Sequence, residues 1–457
     1  MQQKKLLQIS KFMSTTVVED RFAVEKQRFL DLFEKHGAAT GAVHPLQEYQ
    51  QRAIRQAGAL SFPTRRDEEW KYTSINRIVQ QEYQLGEQVA VSADALSPFI
   101  PEGLDAHLIV FVNGVYQPQL SDEKTLPKGM SVLKLEDALD SDQFGTVARG
   151  ELEKMLTERE DIFLSLNLAF SQHSLFFHTA KNTQAERPVY ILHLAAPGGT
   201  PIYNSHLNIF VAEESSEFTV IEGQFQLPGT SGVYFNNLAN RALVSPNAHV
   251  HHYCLQNEGE QGFVINNTDA AHDRDSTFNN YTIDLGGRIV RNNLNTVHLG
   301  SNLTTNYYGI YFGNGEQHID NHTFLDHAVP HCQSNELYKG IVTDKARGVF
   351  NGKVLVRQDA QKTNAFQQSS SLVLSNKAQM DSKPQLEIFA DDVRCSHGAT
   401  IGQLDEDSVF YLRSRGMSDA AARAMLQFAF IGEVLGHFPN QAVSTFGAKM
   451  IAEKFGA

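Results

Sequence analysis

From Arg187 to about Gly402 the chain is a succession of short β-rich pieces with no long helical period between them. Val189–His193, Leu207–Val211, Phe218–Ile221, His249–Tyr253 and Phe263–Ile265 open the series. Tyr307–Phe312, Val354–Val356, Leu372–Leu374 and Leu386–Phe389 continue it. Gly, Asn and Asp punctuate these pieces, as they do where strands turn. Strands that follow one another without helices exclude a doubly wound α/β fold. A sandwich or a β-solenoid remains. A region this long would make an unusually large sandwich, whereas a solenoid simply adds coils. Paired asparagines recur at Asn236-Asn237, Asn266-Asn267, Asn279-Asn280 and Asn292-Asn293. Stacked coils place equivalent turn residues above one another, and Asn tolerates the left-handed region and forms side-chain ladders. No repeat of constant period is present, so the expectation of a parallel β-helix rests on strand text and asparagine.

Helical text flanks this region. Val17–His36 has apolar residues at helical spacing with charges between them, and Leu46–Gly58 reads as a second short helix. Leu108–Tyr116 reads as a strand, a turn at Asn113-Gly114 and the start of a return. After the β region, Leu404–Arg415 starts with acids and ends with bases, which suits both ends of a helix dipole. Ser418 is a candidate N-cap for the helix Asp419–Leu435, which is apolar around most of its circumference. That excess implies burial on two sides, one of them by a partner or by the chain's own core. The expected division is a mostly helical N-terminal region over residues 1–170, a β-helix over 171–403 and a helical region over 404–457.

Composition narrows the function. The net charge of −13 argues against a general nucleic-acid surface. There is no apolar run of transmembrane length, and the text before Met13 lacks a signal peptide's apolar core and cleavage pattern. Three cysteines (Cys254, Cys332, Cys395) cannot make a disulfide framework and point to a reducing compartment, most simply the cytoplasm. No GxxxxGK[ST], GxGxxG or GxSxG motif is present.

Chemistry concentrates in Phe389–Gly402, FADDVRCSHGATIG. Cys395 and His397 are two apart, so an extended backbone puts a thiolate and an imidazole on one face. That is half of a site for a soft or borderline metal. A second histidine-dense stretch runs from His318 to Cys332, and there His318, Asp320 and His322 share a face if extended. The ligand types fit a metal site, and they equally fit polar rungs of a β-coil. Cys254 and Cys332 read as buried small hydrophobes. Trp70, the only tryptophan, lies in SFPTRRDEEWKYT, either a recognition loop or a charged surface turn anchored by the indole.

Four separated blocks extend this reading. FPTRRDEEWKYT at Phe62–Thr73, HTFLDHAVPHCQSNELYKGI at His322–Ile341, ADDVRCSHGATIG at Ala390–Gly402 and LDEDSVFYLRSRGMS at Leu404–Ser418 together resemble the SufB/SufD family of iron–sulfur cluster assembly scaffolds, and its SufD branch more than its SufB branch. The resemblance implies a mainly β protein with a right-handed parallel β-helix core between helical ends. It implies a non-enzymatic scaffold subunit that pairs with a SufB-like subunit through the β-helices and docks a SufC-like ABC ATPase through the C-terminal helices. Tyr411, Arg413, Arg415, Met425 and Phe428 are the expected docking residues. His397, with Cys395 beside it, is expected to meet a nascent iron–sulfur cluster at the SufB interface, with no cofactor held stably. A metal-dependent carbohydrate-active β-helix enzyme and a homodimer serving as an assembly intermediate are the alternatives.

Overall fold

The computed structural model describes residues 20–37, 44–122 and 126–455. The text before Met13 and the first residues of the Val17–His36 helix lie outside this set. The described part of that helix is Ala23–Gly37.

From Leu175 onward successive strands go to opposite sheets. Leu175–Thr179, Ile202–Ala212, Tyr234–Val244, Gly262–His272, Ile289–His298, His318–His327, Arg347–Val356 and Gln379–Ile388 stack in one sheet. The intervening strands, from Val189–Ala195 to Arg394–Gly402, stack in the other. Neighbours along each stack pair in parallel, so the core is a parallel β-helix with one strand per coil in each sheet. The N-terminal third also contributes to the sheets. His107–Val112 pairs in parallel with Val189–Ala195, and the hairpin at Asn113 (φ 51°) and Gly114 (φ 74°) returns through Val115–Tyr116.

The coils are unequal. Phe263 sits beside Ile289, 26 residues on, whereas Arg347 sits beside Gln379, 32 residues on. The regularity lies in one corner. Asn182, Ser215, Asn247, Asp275, Asn302, His331 and Lys362 all take φ between 57° and 62°, one to each coil. The backbone N–H groups of Asn182, Ser215, Asn247, Asp275, His331 and Lys362 each donate to a carbonyl of the next coil. The paired asparagines are therefore not the turn residues expected from sequence. They lie within strands and form ladders there. Asn266 Nδ2 donates to Asn292 (2.8 Å), whose Nδ2 donates to Asn321 (2.9 Å). Asn236 is out of step, facing Val264, and Asn279 belongs to the other sheet, beside His251.

Three apolar layers account for the burial pattern. Phe177, Phe210, Phe218, Tyr307, Tyr311 and Phe350 pack between the sheets. The N-terminal helices cover one outer face, where Phe29, Ile54 and Leu166 join Tyr203, Ile209 and Phe235. The C-terminal helices cover the other, where Ile431, Val434, Val443 and Ile451 join Tyr253, Ile283 and Ile310. The strands are buried on both faces, yet many carry buried polar residues, such as Asn279, Asn280 and Thr282 in Thr277–Asp284.

The helix Asp419–Leu435 is capped by Ser418, whose side chain accepts from the Ala421 N–H. Ala422 is buried in its first half, and its second half meets the sheet's outer apolar layer. Ile431, Val434 and Leu435 are buried, each contributing roughly 1.5–3 kcal/mol. Lys339 Nζ ties that half to the sheet through the Phe430 carbonyl (2.8 Å) and Glu433 (2.6 Å).

Candidate functional site

The β-helix ends without a cap. Arg394–Gly402 is the outermost strand of one sheet and Gln379–Ile388 that of the other, so the two edges lie at the same end. Arg394–Gly402 pairs only with Asn364–Val373. Cys395 stands beside Ala365 and His397 beside Gln367. Both of those neighbours are buried between the sheets, and Cys395 packs against the same inter-sheet core. Strand alternation then turns Cys395, His397, Ala399 and Ile401 toward the interior. Because no coil follows, that interior is open, and His397 is exposed. Partial burial pushes the Cys395 thiol above its ordinary range.

Behind His397 runs a polar row that sequence reasoning missed. Tyr307, Glu336, Gln367 and His397 occupy equivalent places on four successive coils. The Gln367 amide donates to Glu336, and the Gln367 Oε1 atom has no partner. Burial pushes the Glu336 carboxyl up to about 7. A cleft of about 470 Å³ joins this end to the C-terminal helices, with His397, Gln367, Phe366, Tyr308 and His437 in its wall. His437 stacks on Tyr308, 4.2 Å between ring centroids.

Eleven large apolar side chains are exposed among the described residues, and eight of them lie between Phe366 and Phe428. Phe366, Ile388, Phe389 and Ile401 surround the open end. Phe410, Tyr411, Met425 and Phe428 lie on the two helices that follow it. Two apolar patches so close in sequence are the kind of surface that marks contact sites. Arg413 and Arg415 are exposed as well. Arg415 reaches back over the Tyr411 ring (5.2 Å) and donates to its hydroxyl (3.2 Å).

The candidates His318, Asp320, His322 and Trp70 are structural. His318, Asp320 and His322 do share a face, but the cation they meet is Arg291. The Arg291 guanidinium donates to Asp320 at 2.8 Å and lies 3.8 Å over the Trp70 ring. Thr73 bridges His318 Nε2 (2.7 Å) and Asp320. Burial pushes Asp320 up, but the His322 and Arg291 charges outweigh it and hold the carboxyl below its ordinary range. This network pins the RRDEEWKYT segment to the sheet, with Trp70 also against Phe163 (5.4 Å). Trp70 is thus an anchor, and cation–π contact is its means. A groove of about 880 Å³ lies beside this network. Three of its carboxylates, Glu158, Asp269 and Asp326, are ion-paired to arginine.

Comparison with known proteins agrees with this architecture. Residues 196–430 match the family model described as "SUF system FeS cluster assembly, SufBD core domain", and residues 23–191 match "SufBD protein N-terminal region". The chain belongs to the SufBD family. A SufBD family iron–sulfur cluster assembly protein of Synechocystis is 34% identical over 403 residues, covering 85% of this chain and 87% of the relative. Iron–sulfur cluster assembly protein SufD of Escherichia coli is 32% identical over 415 residues, covering 89% and 91%. SufD of Bacillus subtilis is 29% identical over 301 residues, covering 64% and 66%. The SufBD core match takes in both the open end and the start of the helix Asp419–Leu435. Among the described residues, no helix of this SufBD protein is long and apolar enough to cross a membrane.

Proposed function

We propose that this chain is a SufD-type subunit of a three-component iron–sulfur assembly scaffold, acting as a scaffold rather than as an enzyme. The observation that supports this best is the open end of the β-helix. It places an exposed imidazole and a partly buried thiol on one inward face of an edge strand, inside an apolar rim. In this reading the end pairs with the matching end of a SufB-type subunit. His397, with Cys395 beside it, then meets thiolate and carboxylate ligands supplied across the seam. Iron and sulfide gather there as the scaffold's cargo, because imidazole and thiolate both suit iron. A site split between two chains can open again to release what it has built.

Residues 404–457 are the docking region for a SufC-type ATPase, through Tyr411, Arg413, Arg415, Met425 and Phe428. Closure of two such ATPases moves the helices, and Lys339 transmits the movement to the sheet that ends in His397. The three free cysteines fit a reducing compartment such as the cytoplasm. In isolation the same open end suits pairing between two copies, since each copy presents an identical edge. The test is His397→Ala, co-expressed anaerobically with SufB- and SufC-type partners. Iron and sulfide in the purified complex should fall to a small fraction of the wild-type content. Unchanged content would remove His397 from the ligand set.

A further inference from the structure

Two neighbouring coils bring His298, His327 and Cys332 together inside the β-helix. His298 and His327 end neighbouring strands of one sheet, and Cys332 follows the corner formed by His331 (φ 62°). None of the three has exposed surface (0% each). One ligand atom from each lies within 4.8 Å of the other two. The two imidazoles meet edge to face, 4.3 Å between centroids.

Each ring is held by one nitrogen. His298 Nε2 lies 2.9 Å from Thr305 Oγ1, and His327 Nε2 lies 2.9 Å from Ser334 Oγ. The Nδ1 atoms of both are buried and have no hydrogen-bond partner. A proton on Nε2, donated to the hydroxyl, leaves a bare lone pair on each Nδ1. Metal-ligating histidines are oriented in this way by the hydrogen bond on their other nitrogen. Burial keeps both rings neutral, pushing His327 down to about 4 and His298 well below its ordinary value. The Cys332 thiol points at the carbonyls of Pro330 (3.5 Å) and Gly300 (3.7 Å).

We propose that His298, His327 and Cys332 form a binding site for one late first-row divalent metal ion of the Zn²⁺ or Fe²⁺ class. Two imidazoles and a thiol, with no carboxylate among them, suit borderline ions and exclude Mg²⁺ and Ca²⁺. Binding deprotonates Cys332: the metal–sulfur bond forms, the S–H bond breaks and one proton goes to solvent. Bonds of about 2.0–2.3 Å put tetrahedral donors about 3.3–3.8 Å apart, so the three draw together by on the order of 1 Å. A cavity of about 360 Å³ lies on this corner, lined by Asn302, His331, Gln333, Lys362 and Asp392, and is where an ion would enter. His331 and Gln333 flank Cys332 in the chain. Unlike the seam at His397, this site is complete within one chain and does not depend on the assembly role.

The test uses the full chain, stripped with chelator and titrated anaerobically with Co²⁺. One equivalent should bind with a near-ultraviolet thiolate-to-cobalt absorption, and Zn²⁺ should displace it. Cys332→Ser should lose that absorption, and His327→Gln should lose stoichiometric binding. Cys395→Ser and His397→Ala should keep both. Ser334→Ala removes only the hydroxyl that orients His327 and should weaken binding about tenfold or more with the circular dichroism unchanged. It keeps the test decisive if a ligand variant fails to fold. No uptake by the wild-type chain, or an absorption that survives in Cys332→Ser, would overturn the proposal.

Discussion

Glu336 is the residue whose surroundings have the clearest thermodynamic consequence. Its folded value of about 7 stands above the ordinary 4.5 because burial penalises the charged form, and the Gln367 hydrogen bond offsets only part of this. A carboxyl raised in the folded state contributes fully below the unfolded value and loses that contribution as pH rises through the folded one. Glu336 should therefore destabilise the protein between about pH 5 and pH 8, by on the order of 3 kcal/mol. Asp284 and Glu258, each pushed up to about 7 by burial, act in the same direction. Glu336→Gln keeps an acceptor for Gln367 and removes the ionisation. It should match the wild type in denaturant unfolding at pH 5 and be the more stable of the two at pH 8. Equal pH slopes would show that Glu336 does not titrate in this window. The pairing of Cys395 with His397 was legible in the sequence, because strand alternation is a local rule. The row behind them was not. Glu336, Gln367 and His397 are 31 and 30 residues apart, and only the pairing of unequal coils brings them into line.

At the level of elements, the helix Asp419–Leu435 separates two kinds of apolar residue that look alike in the chain. Its circumference announced an excess of apolar surface, but not which residues the sheet would take. The helix overhangs the sheet, so Ile431, Val434 and Leu435 are buried while Met425 is 52% and Phe428 36% exposed. This geometry makes opposite predictions for the two halves. Met425→Glu with Phe428→Glu should leave the melting temperature nearly unchanged and abolish co-purification of a SufC-type ATPase. Ile431→Ala should cost about 2–5 kcal/mol in denaturant unfolding. If the double variant still retains the ATPase, the docking face lies elsewhere. The corners teach a similar lesson. Asparagine did mark the coils, but its two uses, ladder within a strand and turn at φ near 60°, look the same in sequence. Ser215, Asp275, His331 and Lys362 fill the same corner without any shared residue type.

For the whole molecule, fold class was legible because short β-rich pieces bounded by Gly, Asn and Asp follow one another with no helical period between them. The coil repeat was hidden by its variable length. The uncapped end was hidden too, since an edge strand and a central strand carry the same local text. In the proposed assembly that edge is where the molecule meets its partner. A flat outer strand with unpaired N–H and C=O groups is a template for another chain. The Arg394 N–H donates inward to the Thr363 carbonyl. Parallel pairing alternates this direction, so the N–H groups of Cys395, His397, Ala399 and Ile401 face the open edge. Ala399→Pro thus removes a donor from the free side only and sets its ring against any incoming strand, whereas Thr400→Pro breaks a bond to Asn364–Val373. The first should fold like the wild type but fail to associate through this end, leaving a monomer in light scattering, either alone or mixed with a SufB-type subunit. The second should lower the melting temperature. Undiminished association by Ala399→Pro would mean that the contact is made by side chains around the rim, Phe366, Phe389 and Ile401 among them, and not by the strand edge itself.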